Sequence, residues 1–178
     1  MKKNKIYSIT QAAAIAAVYV VLTFAANALG LSNGVIQVRF SEALTILPYF
    51  TPLAVPGLFV GCIISNLLTG CMPLDVIFGS LATLAGAVGT ALIGKLADKQ
   101  PAAASKKLYQ WLAPLPPIIA NTLVVPFILS YVYQFEGSIS YFMLTVGIGE
   151  VISCGVLGLL LLFALEKYRH LLFPREEK

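Results

Sequence analysis

Four charged residues stand inside otherwise apolar text: Arg39 and Glu42 in "VRFSEALTIL" (38–47), Asp75 in "PLDVIFGS" and Glu150 in "GIGEVIS". Arg39 and Glu42 are three positions apart, a spacing that lets a cation and a carboxylate pair across one turn at a helix start. Asp75 follows Pro73 and would suit the positive end of a helix dipole. Glu150 has no basic residue four positions away, so no local pairing accounts for it. Asn66 and Asn121, the latter between Pro117 and Pro126, add neutral amides. One cation and three carboxylates sum to a formal charge of −2. A buried set with that balance suits a small molecule that carries a positive charge and several hydrogen-bond donors.

Catalysis fits these residues poorly. A serine nucleophile needs a base, and the sole histidine, His170, lies in the C-terminal tail. An aspartyl mechanism needs two aspartates sharing one site, and Asp75 is the aspartate that falls in apolar text. No Walker A motif or Gly-rich phosphate loop is present. Cys62, Cys71 and Cys154 form no CxxC pair, and a zinc site needs about four nitrogen or sulfur ligands. The cysteines read as small buried hydrophobes. The expectation is a binding protein with no catalytic residue, no metal and no cofactor.

The elements that must position these residues are membrane helices. The chain has 178 residues, 58% hydrophobic and 11% charged, with mean hydropathy +0.86. Soluble domains carry about 25% charged residues, so this chain cannot cover a surface facing water. The net charge of +4 gathers near Lys2–Lys5, Lys95–Lys107 and Lys167–Lys178 rather than forming the stripe a nucleic-acid surface needs.

Segments 8–31, 73–96, 109–133 and 140–165 are each long enough to cross a hydrocarbon core of about 30 Å. The first of them carries Ala26-Asn27-Ala28, which resembles a signal-peptidase site. It is longer than the usual apolar core of a signal peptide, about 7–15 residues, and reads as a retained helix. Between the first two spans, Pro48, Pro52 and Pro56 interrupt the apolar text. Two further helices are expected there, a short one at 41–50 and another at 56–69.

Charge parity supports that count. If all three basic clusters face the cytoplasm, an even number of crossings separates the first from the second. The outcome is one membrane domain, 1–178, of six transmembrane helices with the second short and both termini cytoplasmic. The 97–107 segment is the expected soluble linker, and the terminal "PREEK" reads as disordered. Tyr131, Tyr133, Tyr141 and Trp111 fit interface-belt positions. On this topology Arg39, Glu42, Asp75, Glu150, Asn66 and Asn121 all fall in the outer half of the bundle. The inner half has no matching set, which favours a binding site open to one side over a pore.

Small residues recur at helix-contact spacing: Ala12/Ala16 and Ala13/Ala17 in the first helix, Gly57/Gly61 in the third, and Gly86, Thr90 and Gly94 in the fourth. Such residues let helices approach closely in lipid. They would serve either the bundle itself or, on the first helix, a partner protein.

Two blocks carry a family resemblance: "IQVRFSEALTILPYFTPLAVPGLFVGCIISNLLTG" (36–70) and "LDVIFGSLATLAGA" (74–87). They resemble the queuosine precursor transporter (QueT) family, the substrate-binding S components of energy-coupling factor (ECF) transporters. The resemblance runs from Gln11 to about Glu166. It implies a six-helix cell-membrane protein with cytoplasmic ends that captures a 7-deazaguanine at the outer face. The candidates are 7-aminomethyl-7-deazaguanine, its nitrile precursor and queuine. It also implies docking, through Ala12, Ala13, Ala16 and Ala17, onto a transmembrane coupling subunit that carries two cytosolic ATPases.

Within that frame the carboxylates favour an amine-bearing ligand over the neutral nitrile. Glu150 would accept from the guanine edge, and Asp75 or Glu42 would hold the amine. Arg39 would hold Glu42 in place, and Asn66 and Asn121 would add polar contacts. An S component for thiamine or a flavin, a structural membrane protein of a larger assembly, and a solitary proton-coupled carrier remain open alternatives.

Overall fold

The computed structural model describes residues 2–32 and 36–172. The "PREEK" tail lies outside the described residues, and so does the side chain of His170. Among the described residues all regular structure is helical. Helix α1 is Lys2–Ala28. A 3-10 helix follows at Phe40–Tyr49, then α2 at Ala54–Leu68 and α3 at Pro73–Asp98. Helix α4, Ala103–Leu112, leads into α5, Leu115–Tyr131. Helix α6, Ile139–Glu150, continues through a π-helical segment, Val151–Leu157, into α7, Gly158–Glu166. A short turn of helix, α8, closes the described chain at Arg169–Leu172.

Four stretches are long and apolar enough to cross a membrane: Ile6–Ala28, Pro73–Asp98, Ala103–Tyr131 and Ile139–Glu166. Their large side chains point outward, as Val21, Leu92, Leu123 and Leu160 do, because lipid is as good a solvent for them as the bundle interior. The protein is an all-α membrane protein.

The bundle has two chemically different ends. Parallel packing of α1 on α2, Ala12 against Gly57 and Ala16 against Gly61, and antiparallel packing of α3 on α5 put the starts of α1 and α2, the end of α3, α4 and the end of α7 together. Lys95, Lys99, Lys106, Lys107, Lys167 and Arg169 lie at this basic end. There Arg169 pairs with Asp98 at 2.7 Å and with Glu166 at 3.5 Å. The end of α1, the α2–α3 turn and the 132–138 loop form the opposite end.

Small residues set the helix contacts. A Cβ on Gly57 would lie 2.6 Å from the Ala12 carbonyl oxygen, and one on Gly61 would lie 3.1 Å from Ala16 Cα. Ala12 and Ala16 are therefore used inside the bundle, and the exposed pair is Ala13 and Ala17. Gly86 packs on Pro117 in the same way, and the Thr90 hydroxyl donates to the Ala113 carbonyl at 2.9 Å.

The short helix expected at 41–50 is a 3-10 helix, Phe40–Tyr49. At about 2.0 Å per residue it is longer than an α-helix of the same ten residues. That length carries the chain from Glu42, deep among the helices, to Tyr49, which packs with Ala97, Ala113 and Leu162 at the basic end. Runs of more than about 3–4 residues are uncommon for this geometry, and tertiary contact sustains it here. Eight of its ten residues are buried, and Gly94 leaves room for the Tyr49 backbone. The expected 97–107 linker is likewise mostly helical: α3 runs to Asp98 and α4 begins at Ala103.

Candidate functional site

The six residues singled out for charge and amide chemistry converge. An inner chamber near mid-depth is lined by Arg39, Glu42, Asp75, Asn121 and Glu150, with Gln37, Gly79, Thr83, Val125 and Val146 completing its wall. An outer vestibule towards the end opposite the basic one is lined by Arg39, Asn66 and Asp75 together with Thr23, Asn27, Thr69, Tyr133 and Phe135, among others. Gln37, Arg39, Asp75 and Val125 border both spaces. The vestibule, about 380 Å³, falls within the range of small-molecule pockets, roughly 300–1,000 Å³.

Each polar group is placed by a local cause. Glu42 enters on the first turn of the 3-10 helix and is 2% exposed. Its Oε1 accepts from the Tyr19 hydroxyl, and its Oε2 accepts from Asn121 Nδ2 at 3.5 Å. Glu150 ends α6 at the point where the π segment begins, a helix defect that often marks functional sites. The π turn presents Cys154 Sγ to Glu150 Oε2 at 3.2 Å and Ser153 Oγ to the Arg39 amide at 3.1 Å. Asp75 sits in the first turn of α3, and its Oδ2 accepts from the Tyr133 hydroxyl at 2.8 Å. That hydroxyl in turn accepts from the Met72 amide at 3.2 Å. Gly149 lets the backbone carbonyl of Gln37 lie directly on α6, where any Cβ would collide with it.

Three sequence expectations change. Arg39 forms no ion pair with Glu42; among the described residues the ion pairs are those of Arg169. The reason is backbone geometry: Arg39 precedes the helix in extended conformation (φ −111°, ψ 110°), so the helical three-residue spacing does not apply. No hydrogen bond of the described residues uses its guanidinium either. Tyr133 is a site residue rather than a belt aromatic, whereas Tyr131 is 70% exposed and Tyr141 45%, as a belt requires. Cys154 is more than a filler, because it donates to Glu150.

Glu42, Glu150 and Cys154 bring donor atoms within 4.8 Å of one another. That is one donor short of a closed tetrahedral metal site. Tyr19 and Tyr133 are the residues that sequence reasoning missed. Tyr19 had a signal, since it follows Ala12 and Ala16 on one helical face and brings a polar tip to it. Tyr133 had none that separated it from Tyr131.

Apolar helices around a charged cavity that opens towards one end define a multi-pass membrane protein with a polar cavity of small-molecule size. A family model described as "QueT transporter" matches residues 9–167, and the chain belongs to that family. It is 42% identical over 84 residues to the queuosine precursor transporter QueT of Lactococcus lactis subsp. cremoris (strain MG1363). That match spans 47% of this chain and 49% of the relative, about half of each. No solved structure matches the chain.

Proposed function

We propose that the chain is the substrate-binding S component of an ECF-type importer and captures a queuosine precursor of the 7-deazaguanine class. The observation that carries the reading is the convergence of Arg39, Glu42, Asp75 and Glu150 on one chamber behind a vestibule of heterocycle size. N–H donors on a guanine-like edge match the Asp75 carboxylate, which borders both spaces, and the Arg39 guanidinium, which no hydrogen bond of the described residues uses, matches a ring carbonyl. Asn66 in the vestibule and Asn121 in the chamber supply further donors and acceptors. The family membership and the name of the Lactococcus relative support the ligand class.

In this reading the basic end is cytoplasmic, as the positive-inside rule requires, so both described termini face inward and the vestibule faces out. The chain carries no nucleotide-binding motif, so ATP hydrolysis belongs to two cytosolic ATPase subunits on a transmembrane coupling subunit. The exposed Ala13 and Ala17 on α1 form the docking stripe, while Ala12 and Ala16 hold α2.

Thermal unfolding of the purified chain in detergent tests the ligand. A true ligand at 100 times its dissociation constant adds about 2.7 kcal/mol of stability. Stabilisation by 7-deazaguanines and not by thiamine or riboflavin is the expected result. Stabilisation by a vitamin alone would reassign the substrate, and no shift from any compound would favour a structural role.

A further inference from the structure

We propose that the inner chamber is a subsite for a primary ammonium group, with the ligand ring held outside it in the vestibule. This rests on the proposed function and deepens it, because it selects among 7-deazaguanines by the substitution of their amine.

The two spaces differ in scale. The vestibule offers about 380 Å³, the chamber about 20 Å³. One water needs roughly 10–15 Å³ by this measure, so the chamber holds a single water-sized group. A purine-like ring does not fit there; an –NH3+ group does. The chamber's chemistry is that of an ammonium site. Glu42, Asp75 and Glu150 line it. No hydrogen bond of the described residues uses Asp75 Oδ1, and Glu150 accepts from Cys154 at Oε2 with Asn121 as a further partner, although the two residues are only 6% and 8% exposed. An ammonium has three N–H donors and no acceptor, which suits the open Asp75 oxygen and the partly satisfied Glu150 and Glu42.

The remaining wall leaves no room for alkyl groups. Val125 and Val146 close one side, and even a Cβ on Gly79 would lie 3.0 Å from Asp75 Oδ1. A nitrile would pass the size limit but would point an acceptor lone pair at three carboxylates. Arg39 borders both spaces, so its cation offsets one of the three chamber carboxylates and leaves negative charge for an ammonium. Glu150 thereby moves from the guanine edge, where sequence reasoning put it, to the amine.

The test separates charge from size. Dissociation constants are measured by calorimetry on the full chain in detergent. The compounds are 7-aminomethyl-7-deazaguanine, its N-methyl and N,N,N-trimethyl derivatives, the nitrile precursor, and queuine, whose amine is secondary and carries a ring. The primary amine should bind tightest, at least about tenfold better than the nitrile and the N-methyl compound. Queuine and the trimethyl compound, charged but bulky, should bind more weakly still. Val146→Ala should narrow the gap between the primary and N-methyl amines. Queuine or the trimethyl compound binding within about threefold of the primary amine, or the nitrile binding equally, would overturn the subsite while leaving the ligand class intact. Binding of no 7-deazaguanine at all would overturn the proposed function and the subsite with it.

Discussion

The Tyr133 hydroxyl joins Asp75 to the Met72 amide and so holds the first turn of α3 against the loop after α5. Replacing Tyr133 by Phe keeps the ring in the vestibule wall and removes that tether. A hydrogen bond to a charged group contributes about 1.5–3 kcal/mol, so 7-deazaguanine affinity should fall by roughly tenfold or more, read by calorimetry. Unchanged affinity would mean that the Asp75 carboxylate is set by other contacts.

Tyr19→Phe makes a different prediction. It leaves Glu42 Oε1 buried without its donor, and an unsatisfied buried polar group destabilises by about 1–3 kcal/mol. A lower unfolding temperature in the ligand-free chain should report it. The identity of the charged residues was legible in the sequence, because ionisable groups in apolar text need a reason. Their hydrogen-bond partners were not, because a tyrosine in a membrane helix reads equally well as an interface aromatic, and only the folded chain separates Tyr133 from Tyr131.

Among the elements, the spans were legible from hydropathy and the hairpin of the 3-10 helix and α2 from its prolines. Two irregular elements were not. The 3-10 helix and the π segment both arise where backbones crowd: Tyr49 on Gly94, Gln37 on Gly149, and Ala43 near Gly158. Helical propensity does not encode such contacts, although the glycines hint at them.

Gly149 therefore offers a test that separates packing from propensity. Ala is a better helix former than Gly by about 1 kcal/mol, so Gly→Ala in an open helix position stabilises. At Gly149 the new Cβ would instead push the Gln37 carbonyl off α6 and move Arg39 with it. At Gly147, two residues earlier, the nearest atom to a new Cβ is Thr122 Cγ2 at 3.5 Å, an ordinary contact. Gly149→Ala should weaken ligand binding by about tenfold or more while Gly147→Ala leaves it within about twofold, both by calorimetry. Equal effects at the two positions would show that the 37–39 segment is not seated on α6 as described.

At the scale of the whole molecule, the charged cavity and the exposed small residues of α1 lie on different parts of the bundle, so the two proposed functions can be lost separately. Helix α1 has small residues on two faces. Ala12 and Ala16 meet Gly57 and Gly61 of α2 at backbone distance, whereas Ala13 and Ala17 are exposed. Leucine at Ala16 should overpack the α1–α2 contact and destabilise the isolated chain by about 1–3 kcal/mol, with ligand stabilisation reduced in step because Tyr19 shares that face. Leucine at both Ala13 and Ala17 should leave unfolding temperature and ligand affinity of the isolated chain unchanged, since both are exposed. If α1 docks a coupling subunit through its small residues, the same double substitution should abolish co-purification with that subunit and ATP-dependent uptake in cells. Retained uptake in the Ala13→Leu/Ala17→Leu chain would remove α1 as the docking face and leave the cavity assignment standing.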